Sequence, residues 1–199
     1  MGAFLFVSCS EIFVAHRSRS DIGSSSMEQT TLAAMTSSAN QHWNTPPEIL
    51  TPLYQQFGGI ALDPCSNPGS IVKASKTFSG PDIDKNGLTE PWQVGGLVYV
   101  NPPYGRHIKA WIRKCADEAK LAKENNNKTE IVLLGPARTD TYFFQKIVCP
   151  TADKALLWEG RLTFLGAEAP ALFPSFLAYW GHRPDQFMMA YLGKGWFIL

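Results

Sequence analysis

The chain has almost no excess of charge: 18 Lys and Arg stand against 17 Asp and Glu over 199 residues, a formal net charge of +1. So even a balance excludes attraction of a polyanion by the overall field, and any contact with nucleic acid must come from a local basic patch. Paired cysteines are missing too. Cys9, Cys65, Cys115 and Cys149 stand far apart with no C-x-x-C between them, which argues against a zinc site or a disulfide framework and fits a reducing cytoplasm. No apolar run reaches the length of a membrane span, and no internal repeat divides the chain. With 45% apolar and 18% charged residues, what remains is the composition of one globular domain with a full core.

The first stretch differs in character. A short apolar run from Ala3 to Val7 gives way to Ser18, Ser20, Ser24, Ser25 and Ser26 before Met27 and Met35. The run is short and lacks a preceding positive charge, so residues 1–36 are expected to be a disordered leader rather than a signal peptide. The domain is expected over 41–199.

From Gln41 onward strand-like and helix-like segments alternate, which predicts an α/β sheet. Ile60 to Leu62, Leu97 to Val100 and Ile131 to Leu134 read as short buried strands, each ending in a polar or proline-containing turn where open α/β sheets place ligands. Ile108, Trp111, Ile112, Cys115 and Ala119 recur at helical spacing with Lys109, Arg113, Lys114 and Lys120 off the stripe. A second helix is expected from Thr141, capped by Asp140. After it, Ala155 to Trp158, Arg161 to Leu165, Phe176 to Trp180 and Phe187 to Leu192 read as antiparallel strands added to a mostly parallel sheet.

The strongest chemical signal is Asn101-Pro102-Pro103-Tyr104, directly after the run Leu97-Val98-Tyr99-Val100 and before Gly105. Asn101 offers a side-chain carbonyl and Pro102 a main-chain carbonyl, held rigid by two prolines. Fixed acceptors of this kind suit an exocyclic NH2 whose lone pair is delocalised into a ring, because they meet the charge that develops as the nitrogen becomes tetrahedral. Tyr104 supplies a face on which a flipped base can stack. The pattern points to methyl transfer onto nitrogen. A rigid strand-to-helix turn would also use prolines, but it does not call for Asn first and Tyr fourth.

Taken in order, Trp43-Asn44-Thr45-Pro46-Pro47-Glu48, Leu62-Asp63-Pro64-Cys65-Ser66, Asp84-Lys85-Asn86-Gly87-Leu88 with Trp92, Asn101 to Gly105, Pro136-Ala137-Arg138-Thr139-Asp140-Thr141, and Gly160-Arg161-Leu162 with Phe173-Pro174-Ser175 resemble the phage DNA N-6-adenine methyltransferase (Dam) family from about Trp43 to Tyr179. The resemblance implies a Rossmann-like enzyme of phages and prophages, acting in the cytoplasm of a bacterial or phage-infected cell. Its expected reaction uses S-adenosylmethionine to methylate adenine N6 in double-stranded DNA, with no metal and no membrane contact.

Site residues follow from the motifs. Catalysis falls to Asn101, Pro102, Pro103 and Tyr104. Thr45 and Pro46 stand ahead of a helix, where a hydroxyl and free backbone groups can hold a carboxylate or merely form a cap; the resemblance implies contact with the methionine end of the cofactor. Pro52 should kink that helix or move its start to Thr51. Asp63 closes a strand, yet Pro64 to Gly69 lacks the Gly-x-Gly that lets backbone approach a cofactor; Asp63 is expected at the cofactor, with a turn-capping role as the other reading. Asp84, or its neighbour Asp82, could accept from ribose hydroxyls. Trp92 could line the adenine pocket or pack the sheet edge. Arg138 and Arg161 are the chosen DNA contacts among Arg106, Arg138, Arg161, His182 and Arg183, because guanidinium suits phosphate and guanine. Two rivals use the same features: a methyltransferase acting on protein glutamine or RNA, and a silent nucleic-acid-binding module.

Overall fold

The computed structural model describes residues 43–79 and 86–199. The expected leader over 1–36 and the two carboxylates Asp82 and Asp84 lie outside the described residues.

Helix α1 (Pro47–Phe57) leads into β1 (Ile60–Ser66) and β2 (Ala74–Ser79). Strand β3 (Leu97–Val100), helix α2 (Ile108–Glu124) and β4 (Glu130–Pro136) follow. A π-helical turn over Phe144–Val148 runs into a helical turn, Cys149–Thr151, before β5 (Lys154–Trp158), β6 (Ser175–Trp180), α3 (Pro184–Ala190) and β7 (Gly195–Phe197). The strands form one sheet in the order β2-β1-β3-β4-β6-β5-β7. Pairs β1–β2, β1–β3 and β3–β4 are parallel, and β4–β6, β6–β5 and β5–β7 are antiparallel. Strands β1 to β5 therefore point one way, with β6 and β7 against them.

Both faces of the sheet are covered, which is why its central strands are continuous apolar runs rather than alternating ones. On one face Val98, Val100, Ile131, Leu133 and Phe176 pack with Trp111, Ile112 and Cys115 of α2 and with Phe144 and Ile147. On the other, Leu97, Tyr99, Val132, Leu134 and Leu177 meet Ile49, Leu50 and Leu53 of α1 and Phe187 near the C-terminus. A buried carboxylate braces the first layer. Glu118 of α2 takes an ion pair from Lys114 at 2.5 Å and hydrogen bonds from the Trp92 N–H at 3.2 Å and Gln93 Nε2 at 2.6 Å. Burial opposes its ionisation, but these donors hold its carboxyl below the ordinary value.

Four sequence expectations need correction. Pro52 lies inside α1, which starts at Pro47 and not at Thr51; burial of Ile49, Leu50 and Leu53 outweighs the single backbone bond that proline cannot donate. Among the described residues Asp140 caps nothing, and the Thr141 hydroxyl instead donates to the Arg138 carbonyl at 2.5 Å. Arg161 to Leu165 is no strand of the sheet; the segment lies against Asn44, whose carbonyl accepts from the Leu165 N–H at 2.8 Å. Phe187 to Leu192 lies mostly in α3 and its exit turn: Phe187 and Tyr191, four apart, are buried while Met189 between them is exposed.

Pairings Val100↔Leu133, Pro136↔Ser175 and Leu157↔Phe176 place the ends of β3, β4 and β5 and the start of β6 along one edge. The segments after Val100, Pro136 and Trp158 all leave from it.

Candidate active site at the carboxyl edge of the sheet

Asn101 is the first residue beyond β3, and its carboxamide is held on both sides. Nδ2 donates to the Trp43 carbonyl at 2.5 Å and to Thr45 Oγ1 at 3.0 Å, while Oδ1 accepts from the Tyr104 hydroxyl at 2.9 Å. These partners assign the amide orientation, since a flipped group would set oxygen against the Trp43 carbonyl. Oδ1 keeps a second lone pair. Pro102 is buried and Pro103 half-buried. Thr45, also buried, shares a 2.9 Å bond with the hydroxyl of the fully buried Tyr99. It does not cap α1, whose cap position is Pro46 without a side-chain bond.

Tyr104 is half-buried against aromatics from distant parts of the chain. Its ring centroid lies 5.4 Å from Phe173 and 6.0 Å from Phe164, both edge-on. Trp43 packs on the same two rings, at 5.2 Å from Phe164 and 5.6 Å from Phe173. Phe164 is sealed in the core, whereas Trp43, Tyr104 and Phe173 each keep exposed surface. Burial pushes the Tyr104 phenol well above its ordinary pKa, so it remains a proton donor.

Asp63 lies one strand away in β1 and is 3% exposed. Among the described residues no cation pairs with it. Desolvation raises its pKa from 3.8 to about 6, against the lowering effect of the Cys65 N–H, which donates to Oδ1 at 3.1 Å, and of the Cys65 and Ser66 side chains. Gly87 closes the other side: a Cβ there would stand 1.8 Å from the Pro64 carbonyl oxygen, so no side chain fits. Trp92 donates from Nε1 to the Gly87 carbonyl at 2.8 Å, is fully buried and stacks on Trp111 at 6.2 Å, which makes it core packing. Asn44, between Trp43 and Thr45, keeps a buried Oδ1 without a partner among the described residues.

The two chosen arginines stand on the same edge and differ in attachment. Arg138 is exposed in the turn after β4. Arg161 does not open a strand; its Nη1 donates to the Leu172 carbonyl at 3.2 Å, tying the two ends of the segment that carries Phe164 and leads into Phe173. Arg183 and His182 lie at the other end of the sheet, where Glu130 at the start of β4 accepts from Arg183 Nε at 2.8 Å, from Arg183 Nη2 and from the Tyr179 hydroxyl, with His182 Nδ1 3.5 Å away. A groove of about 750 Å³ opens between α2 and the turn at Gly181, bordered by Lys120, Lys123, Lys128 and His182, and is separate from the Asn101 cluster. The chemistry is therefore read from the hydrogen-bonded cluster and not from that groove.

Sequence reasoning missed Tyr99, Phe164 and Asn44 as members of this cluster. Tyr99 lies within an apolar strand run, and only the quoted motifs around Trp43 and Phe173 signalled the aromatics. Among the described residues no group of His, Cys, Asp and Glu could hold a metal ion, and no helix is long and apolar enough to cross a membrane.

Comparison with curated proteins finds no significant match. The model of the family described as DNA N-6-adenine-methyltransferase (Dam) matches residues 33–172, a span that holds Thr45, Asp63, the Asn101 to Tyr104 turn, Arg138 and Arg161. The chain belongs to the DNA N-6-adenine-methyltransferase (Dam) family.

Proposed function

We propose that this chain is a Rossmann-like methyltransferase, with its domain over 41–199, that transfers a methyl group from S-adenosylmethionine to N6 of an adenine flipped out of double-stranded DNA. The observation that carries the reading is Asn101 Oδ1, an acceptor with a free lone pair, fixed by the acceptors that take the amide's NH2 on its far side and bordered by a half-exposed Tyr104.

The residues present fit the cofactor. Among the described residues Asp63 is a buried carboxylate with no cation of its own, suited to a ligand's hydroxyl or ammonium donors, and Asn44 Oδ1 is a buried acceptor with no partner. Asp63, Pro46 and Asn44, with Asp84 from the sequence, are the proposed holders. S-adenosylmethionine, when bound, supplies an electrophilic methyl group on a sulfonium.

The chain's own residues do the rest. Flipping the adenine costs ~ a few kcal/mol, offset in part by stacking on Tyr104, worth about 1–3 kcal/mol per base. Asn101 Oδ1 and the Pro102 carbonyl accept the two N6 hydrogens, so the amine nitrogen faces the methyl group and its growing positive charge meets preorganised dipoles. Orientation at near-attack distance supplies most of the acceleration. The surplus N6 proton then passes to solvent. Arg138 and Arg161 are assigned to the DNA backbone at the rim. Incubation with labelled S-adenosylmethionine and a mixture of duplex DNA, RNA and protein tests the substrate class: label in duplex DNA supports the reading, and label in protein or RNA favours the corresponding rival.

A further inference from the structure

We infer that Tyr99 is a positioning residue that acts through the hydroxyl of Thr45 to lock the side-chain amide of Asn101 with its oxygen toward the substrate. The inference rests on the proposed function for its catalytic consequence, but not for the lock itself.

Tyr99 and Asn101 are two residues apart along an extended segment, so their side chains leave on the same side, toward α1. Tyr99 is fully buried in an apolar layer, where phenylalanine would pack as well. A hydroxyl in such a place must find a partner, and it finds Thr45 Oγ1 at 2.9 Å. Thr45 has no capping duty in α1, and its second partner is Asn101 Nδ2 at 3.0 Å. With the Thr45 hydroxyl donating to Tyr99, its one proton is engaged there and a lone pair of Oγ1 is left toward Asn101 Nδ2. Without that bond the Thr45 hydroxyl could turn its proton to Asn101 and accept the flipped amide, leaving NH2 where the substrate needs an acceptor. The Trp43 carbonyl opposes the flip from one side only. The lock therefore has two jaws, and Tyr99 sets the second.

The lock assigns to Thr45 a role different from cofactor contact, and the two roles predict different kinetics. Tyr99→Phe keeps the packing and removes only the hydroxyl; it should lower kcat about tenfold while KM for S-adenosylmethionine and for duplex DNA stays within about twofold. Thr45→Val should behave alike, and Thr45→Ser, which restores a hydroxyl, should recover rate relative to Thr45→Val. Hydrogen exchange of the Asn101 side-chain NH2, followed by nitrogen-edited NMR on the unliganded protein, gives a readout independent of turnover: slow in the parent chain and faster in Tyr99→Phe. A lower melting temperature with kcat and exchange unchanged, or a Thr45→Val effect confined to KM for S-adenosylmethionine, overturns the inference. A parent chain inactive on duplex adenine overturns the proposed function instead, while the exchange rates still decide whether the lock exists.

Discussion

The hydroxyl of Tyr104 donates to Asn101 Oδ1 across 2.9 Å, so the ring assigned to stack the target base also touches the acceptor assigned to its amine. The base needs the ring and not the hydroxyl. Tyr104→Phe keeps the ring and frees a lone pair on Oδ1, and its single-turnover rate should stay within about threefold of the parent. Tyr104→Ala removes a stack worth about 1–3 kcal/mol and should lose about tenfold or more. Equal losses in the two variants would remove stacking as the role.

Asn101→Ala deletes the acceptor itself. Loss of one preorganised group of this kind costs on the order of 10²–10³ in rate, and titration calorimetry should find S-adenosylmethionine binding nearly unchanged. Methyl transfer that survives the substitution contradicts the catalytic assignment of Asn101.

Asp63 links the proposed cofactor side to stability. Its carboxyl titrates at about 6 in the fold against an ordinary 3.8, because burial disfavours the charge. The folded state thus holds the proton more tightly than the unfolded one, and stability falls as pH rises from about 4 to about 6. Above that window ionised Asp63 costs ~3 kcal/mol, and below it the penalty is gone. Asp63→Asn should therefore melt higher than the parent near pH 8, converge with it near pH 4, and bind S-adenosylmethionine more weakly. Thermal melts of the unliganded protein across that range check the sign; a variant that melts lower near pH 8 refutes it.

Arginines at the two ends of the sheet should separate by function. Arg183→Ala strips the fully buried Glu130 of its guanidinium and should cost about 3 kcal/mol in denaturant unfolding, with DNA affinity unchanged. Arg138→Ala should leave stability unchanged and lower the slope of log affinity against log salt by about 0.9, the share of one phosphate. With so little net charge, the parent slope should itself be shallow. Equal effects of both variants on DNA affinity would show that the DNA face is misplaced.

The parts of the fold and site that were legible in the sequence are those where one segment carries its own constraint. Leu97 to Val100 is buried on both faces, so an unbroken apolar run marks β3, and the Asn-Pro-Pro-Tyr turn behind it needs no distant partner to be recognised. Trp111, Ile112 and Cys115 marked α2 by spacing alone. Illegible parts depend on what other segments do. Strand β2 has one buried residue, Phe78, and offers almost no pattern; β7 is three residues long and exists because β5 presents a free edge. Arg161 to Leu165 has the composition of a strand but is held off the sheet by its contact with Asn44, a partner the sequence does not announce. Tyr99 could not be told from a core residue, since its partner Thr45 is 54 positions away in sequence.

The most direct test of the central claim is nucleoside mass spectrometry of a duplex DNA library after incubation with S-adenosylmethionine and either the parent chain or Asn101→Ala. The account predicts N6-methyladenine from the parent and a yield lower by orders of magnitude from the variant. No N6-methyladenine from a folded, cofactor-binding parent, or equal yields from both proteins, would contradict it.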